Sequence, residues 1–262
     1  MGFETRERTV FVHSAFARWP MLEFELDIVQ RELDEGAHVY FALCKGGSAY
    51  CAANNPKSGQ PFIRATCIAC KSRSREGLRW LDTASGRLDV VDYQIRFDPV
   101  EDELRVIVEE IQSGRQDFEA IEAQLSERKR ACWLAALSGL NTDLKTSSID
   151  LNLHRERFSL LFAEAVRSSH SMEHHLDVID PDFVYIYNGR MPRYGPALEV
   201  VKSRQQPHAV YEYPANGFQD YLLSPDLRPH DFDSFMSRAA KSFLALPASE
   251  QQPWTDKART WL

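Results

Sequence analysis

The stretch from Asp180 to Pro214 reads DPDFVYIYNGRMPRYGPALEVVKSRQQPHAVYEYP, and the fold turns on it. Phe183–Tyr187 is an apolar run of β-branched and aromatic residues, the composition of a strand, and it ends in Asn188-Gly189-Arg190. A helical segment carrying Ala197, Leu198 and Val201 follows. Gln205-Gln206-Pro207 then turns the chain into a second apolar strand, His208–Tyr213. The unit is strand–helix–strand, with a polar triplet at the carboxyl end of its first strand. In open α/β sheets ligands gather outside that edge. Gly189 would let the backbone turn sharply or approach a ligand, and Arg190 would fork onto a phosphate or carboxylate. A plainer alternative stands beside this one: Asn188 caps the turn and Arg190 is solvated.

The chain opens with the same unit. Thr9–His13 is a short apolar strand, followed by a loop that closes at Trp19-Pro20. Leu22, Leu26, Val29 and Leu33 recur at i, i+4, i+7 and i+11, the stripe of an amphipathic helix. Glu23, Glu25 and Asp27 are read as early-turn charges that face the helix dipole, and Gly36 as the stop. His38–Leu43 is continuously apolar, as in a strand covered on both faces. Two β–α–β units predict an α/β fold built on a Rossmann-like parallel sheet. A helix around Gly77–Ala84 and a strand around Leu88–Tyr93 continue the alternation.

From Val100 to about Ile179 three apolar stripes predict a helical block over 100–179, either one long crossover or a helical insertion: Leu104/Ile107/Val108/Ile111, Phe118/Ile121/Leu125 and Phe158/Leu161/Phe162/Ala165. The charged residues between them are read as solvated faces. Phe232, Phe235, Met236, Ala239 and Phe243, and then Trp254, Ala258 and Trp261, predict C-terminal helices over 230–262. The last stripe meets no stop signal, so the chain is expected either to lead into a further domain or to end in a helix docked on this one. Residues 1–262 themselves read as one domain, with no internal repeat beyond the β–α–β units.

Charge and composition exclude several classes. A formal net charge of −7 argues against a general nucleic-acid binder and against an anionic membrane surface. No apolar run approaches the ~20 residues of a membrane span, and Val10–Ala17 lacks the features of a signal peptide. Five cysteines in 262 residues do not make a secreted disulfide scaffold, so a cytoplasmic chain with reduced or metal-bound thiols is expected. The nucleotide-binding glycine loops, the G-x-S-x-G elbow and the H-E-x-x-H pair are all absent from the sequence.

Chemistry concentrates in two places. Cys44, Cys51, Cys67 and Cys70 fall in a C-x6-C…C-x2-C arrangement within a Gly-rich segment, 44–71. Two pairs of thiolates would close a tetrahedral, all-thiolate site, most simply for structural Zn2+. Buried free thiols, labile disulfides and an iron–sulfur cluster are the alternatives. Cys132 reads as a small core residue, and His170, His174 and His175 as helix-end histidines. The acid/base candidates are His13, after the first strand, and Glu212, in the strand that follows the Asn188-Gly189-Arg190 helix.

Two patches resemble one family. FVYIYNGRMPRYGPALEVVKSRQQPHAVYEYP is similar to the strand, Asn-Gly-Arg, helix and strand segment of bacterial surface-polysaccharide glycosyltransferases. LEFELDIVQRELDEGAHVYFALCKGGSAYCAANNP…CIAC is similar to their opening helix, strand and Cys-rich loop. The chain departs from that pattern at Lys45 and at Tyr213-Pro214. The resemblance implies the N-terminal, acceptor-side domain of a GT-B glycosyltransferase. It also implies a nucleotide-sugar donor held mainly by a C-terminal domain outside this chain, and a glycan acceptor. Asn188, Gly189 and Arg190 would line the cleft, with Glu212 or His13 as the base. The alternative is a non-catalytic, metal-stabilised Rossmann-like module that binds a partner or a glycan. A nucleic-acid-binding zinc protein fits the cysteine spacing but not the acidic balance.

Overall fold

The structure is a computed structural model and describes residues 7–14, 17, 20–46, 48, 50–51, 64–146, 148–212, 222–224 and 232–259. β1 (Thr9–His13) is buried from Val10 onward and forms the centre of the sheet. α1 (Met21–Asp34) carries the expected stripe, and Gly36, at φ 80°, breaks it before β2 (His38–Leu43). α2 (Arg64–Leu78) leads to β3 (Arg87–Asp92). Four helices follow: α3 (Asp98–Ser113), α4 (Phe118–Ala123), α5 (Glu127–Leu144) and α6 (Arg155–Ile179). Then come β4 (Phe183–Tyr187), α7 (Gly195–Ser203), β5 (His208–Glu212), β6 (Leu222–Ser224), α8 (Phe232–Ala245) and α9 (Ala248–Arg259).

The strand order is β3-β2-β1-β4-β5-β6. The first five strands are parallel, and β6 joins β5 antiparallel. The Rossmann-like α/β reading therefore holds. The chain moves outward from β1 through β2 to β3, then returns to place β4 on the other side of β1. The crevice between β1 and β4 is thus the topological switch point, where parallel sheets of this kind receive ligands.

Two cores stabilise the molecule. One surrounds the sheet, and the other lies among α3 to α6 around Trp133, Phe158 and Phe162. α6 belongs to both: Phe158 to Val166 pack into the helical core, while Met172 and Leu176 pack into the sheet core. The expected helical insertion is therefore anchored on the sheet through one long helix.

The helix expected around Gly77–Ala84 is misplaced: α2 starts at Arg64, takes in Cys67 and Cys70 and ends at Leu78, two residues into that span. Periodicity misses it because α2 buries only Ser74 and Gly77 and so shows no apolar stripe. Gly77 is the contact: a Cβ there would sit 2.8 Å from Leu26 Cδ1. In the C-terminal helices Trp254 is exposed rather than docked. The side chain of Ala258, and Trp261, Tyr213 and Pro214, lie outside the described residues.

The turn into β3 needs Gly86, because a Cβ there would lie 2.7 Å from the carbonyl oxygens of both Ala37 and Leu33. Neither backbone atom can yield without moving the end of α1. Gly86→Ala is expected to cost about 1–3 kcal/mol, as overpacking does. The urea midpoint should fall at unchanged slope; an unchanged midpoint would contradict this packing.

Candidate functional site

The carboxyl ends of the strands carry an unusual density of buried polar side chains. His13 and Ser14 come from the end of β1, and Asn188 from the turn after β4. Glu25 comes from α1, Glu164 from α6, Tyr93 from just beyond β3, and Arg193 and Tyr194 from the segment before α7. All eight are at most 7% exposed. Buried charges are costly unless paired and hydrogen-bonded, and clusters of them concentrate at functional sites.

Glu164 is the hub of one half. Its carboxylate accepts from Tyr93 Oη at 2.7 Å, Ser48 Oγ at 2.6 Å, Gln94 Nε2 at 3.1 Å and Arg193 Nε and Nη2, each at 3.2 Å. The Arg193 guanidinium also lies over the Tyr93 ring, 4.2 Å from its centroid. Ser168 Oγ donates to the Arg193 carbonyl, so the backbone of this arginine is held as well. The Tyr93 hydroxyl is pushed well above its ordinary pKa, mainly by burial.

Glu25 is the hub of the other half and is fully buried. Ser14 Oγ donates to one of its oxygens, and Tyr211 Oη donates to the other at 2.7 Å. The Ser14 backbone N–H is held by Ala42 O at 3.2 Å, which continues the β1–β2 ladder past the strand end. This arrangement places a hydroxyl on a buried carboxylate at the tip of the central strand.

Between the hubs stands His13, 1% exposed. Its ring packs edge-on against Tyr93 at 6.1 Å and Tyr194 at 6.0 Å. Burial, and then the nearby Arg193 charge, lower its pKa to about 3. His175, whose ring lies 5.0 Å from that of Phe11, is lowered to about 4, chiefly by burial. Both imidazoles are therefore neutral at neutral pH. His13 Nδ1 and Tyr194 Oη are buried without a hydrogen-bond partner among the described residues.

The residues singled out in the sequence fall around this cluster. Asn188 and Gly189 both adopt left-handed backbone, at φ 56° and 66°, and form the turn after β4. Asn188 Nδ2 donates to Glu212, and Tyr187 Oη donates to the same carboxylate at 3.1 Å. Glu212 thus ties the ends of β4 and β5, and β4 separates it from the strand that carries His13. Arg190 is exposed. Cys44 and Cys70 pack at the edge of the sheet core, and Cys132 is buried in the helical core, its thiol pushed up to about 12 by burial. Among the described residues no three His, Cys, Asp or Glu side chains stand in a metal-holding arrangement.

The sequence reading misses the two hubs. It treats Glu25 as a charge facing the helix dipole and Glu164 as part of a solvated face; both are buried. The signal is present. Glu25 lies three residues after Leu22, and Glu164 three after Leu161, each on the apolar stripe of its helix. A carboxylate on a buried stripe requires partners, and Tyr93, Arg193 and Tyr211 supply them.

No protein-family model matches the chain, and no curated protein matches it. Among solved structures it is similar to a CDPS, a cyclodipeptide synthase, from Fluoribacter dumoffii. The identity is 10%, the match covers 78% of this chain and 88% of that one, and the TM-score is 0.42. So distant a likeness assigns no residue and no activity here. It does not lead to a glycosyltransferase, and the expected GT-B kinship is corrected. The transfer of sugar from a nucleotide-sugar donor, expected from that kinship, is corrected with it. The Asn-Gly patch that suggested it has a local cause, since these two residue types best tolerate the left-handed turn. No helix among the described residues is long and apolar enough to cross a membrane.

The buried imidazoles make stability depend on pH. Their folded pKa values lie below the unfolded value of 6.5, so their contribution is complete above pH 6.5 and is lost as pH falls toward about 4 and about 3. Urea unfolding is expected to show stability dropping below pH 6.5. The slope should approach about 2–3 kcal/mol per pH unit near pH 5, with two protons taken up on unfolding. His13→Asn should halve that slope, whereas a flat profile would contradict the burial of both rings.

Proposed function

We propose that this chain is a Rossmann-like domain that takes a small polar molecule at the switch point, outside the carboxyl ends of β1 and β4. We further propose that Ser14 acts on that molecule as a nucleophile. One observation carries the reading: two buried polar atoms, His13 Nδ1 and Tyr194 Oη, stand without partners among the described residues, beside a serine hydrogen-bonded to a buried carboxylate. Orphaned buried groups cost on the order of 1–3 kcal/mol each and call for an occupant. A ligand with a hydrogen-bonding group would satisfy both.

The chemistry follows from the same residues. Ser14 Oγ would attack an electrophilic carbonyl carbon while its proton passes to Glu25, and the leaving group would depart from the acyl carbon. Tyr211 would hold Glu25 in place through its 2.7 Å hydrogen bond. Neutral His13 would serve as a hydrogen-bond partner to the bound molecule, because an imidazole lowered to about 3 is a feeble proton acceptor. Arg193 would contribute a fixed positive potential from behind the Tyr93 ring.

A second reading has its own support. Ser14 is 1% exposed and Glu25 is fully buried, which suits a structural network in a binding module without catalysis. Intact-mass spectrometry after treatment with a small sulfonyl fluoride separates the two. The catalytic reading expects a single adduct on Ser14, absent from Ser14→Ala and formed about a hundredfold more slowly in Glu25→Gln, the scale of general-base assistance. A folded, unmodified wild-type chain would refute the nucleophile and leave the binding module.

A further inference from the structure

The cysteine-rich segment lies beside the switch-point cluster, and the function proposed above makes no use of it. Cys44 immediately follows β2, while Cys67 and Cys70 stand one turn apart on α2. The two segments meet at Gly46. Its N–H lies 3.3 Å from Cys44 Sγ, and a Cβ built on it would lie 3.7 Å from Cys67 Sγ. Cys51 is near enough for its charge to act on both Cys44 and Cys70. All four thiols are partly buried, and none is in a disulfide.

We infer that Cys44, Cys51, Cys67 and Cys70 bind one Zn2+, which fastens the carboxyl end of β2 to α2. Three further observations support the assignment. The first is that backbone N–H groups already point at sulfur: Gly46 N at Cys44 Sγ and Ala17 N at Cys70 Sγ, each at 3.3 Å. Such donors stabilise thiolate ligands from outside the coordination sphere.

The second is charge. Four thiolates around Zn2+ carry a net −2. The Lys71 ammonium lies 3.4 Å from the same point above Gly46, and the Arg193 charge reaches both Cys44 and Cys70. The third is packing. α2 buries only Ser74 and Gly77, so this helix has little apolar anchorage of its own. A metal supplies the missing attachment, as in small domains whose metal binding is part of their folding energy.

The Cys44 and Cys67 sulfurs meet at Gly46, and the four sulfurs are not yet at ligand spacing. Binding draws them to the ~2.3 Å of a Zn–S bond and releases up to four thiol protons, one from each cysteine. Four protein ligands close the tetrahedron, so the ion is structural and offers no position to substrate.

The test is the zinc content of chain 1–262 purified without chelator from zinc-replete cells, with Cys132→Ala as the control. One zinc per chain is expected in the wild type and in the control. A thiol-blocking mercurial should release that zinc from the folded wild type, a result that does not depend on any variant folding. Cys67→Ser and Cys70→Ser, checked for helicity by far-ultraviolet circular dichroism, should each lose the metal. Cobalt reconstitution should give thiolate charge-transfer bands and the strong visible bands of a tetrahedral site. Protein that is folded, binds neither zinc nor cobalt and has four freely titrating thiols would overturn the proposal. So would iron with acid-labile sulfide in place of zinc.

Discussion

The ion pair between Glu164 and Arg193 is the constraint on which the rest of the molecule depends. Both side chains are almost wholly removed from water, at 1% and 6% exposure. Such a pair is costly to form, and removing one partner typically costs about 3–5 kcal/mol because the other is left charged and buried. It is tolerable here because Tyr93, Ser48 and Gln94 complete the coordination of the carboxylate. The partners come from the end of β3, from the segment after β2, from α6 and from the approach to α7. One carboxylate therefore fixes the relative positions of four parts of the chain at the carboxyl edge of the sheet. A hydrophobic pair would hold them as firmly, so stability alone does not account for the charges. They lie at the switch point, where parallel sheets of this kind receive ligands.

The sheet is legible in the sequence because its signals are local. β1, β2 and β4 are bounded to the residue, since a strand covered on both faces is a continuous apolar run. α2 is not, because its contact with α1 is made by Gly77 and Ser74 and not by a stripe of large apolar residues. The site is half legible. His13 and Asn188 stand out because strand ends are visible in sequence. Glu25, Glu164 and Arg193 do not, because charge on a helix or loop ordinarily means solvent. Whether a charge is buried depends on partners 29 residues away for Arg193 and Glu164, and 186 away for Tyr211 and Glu25. No pattern of period 3.6 or 2 can encode those distances. The Asn188-Gly189 turn shows the opposite error, in which a motif with a sufficient backbone explanation reads as the mark of a family.

The two hubs divide the work of the edge. Glu164 and Arg193 compensate each other and hold the frame. Glu25, with Ser14 and Tyr211, presents a hydroxyl on a carboxylate. His13 and Tyr194 lie between them with polar atoms still to be satisfied. The ring contacts of His13 with Tyr93 and Tyr194, together with the Arg193–Tyr93 stacking, keep these polar atoms in a fixed geometry. Pre-organisation of this kind is what a binding site needs, because the cost of ordering the side chains is met on folding rather than on binding.

A ligand at the switch point would satisfy the buried polar atoms of His13 and Tyr194 that have no partner among the described residues. A cavity of about 340 Å³ between α5, α6 and α7, lined by Arg128, Ser169 and Glu173 among others, is a competing place. The direct measurement is a crystal structure of the chain soaked with a panel of small polar metabolites. Ligand density is expected within hydrogen-bonding distance of both His13 Nδ1 and Tyr194 Oη. Ligand bound only in the α5–α6–α7 cavity, with ordered water completing His13 and Tyr194, would contradict it.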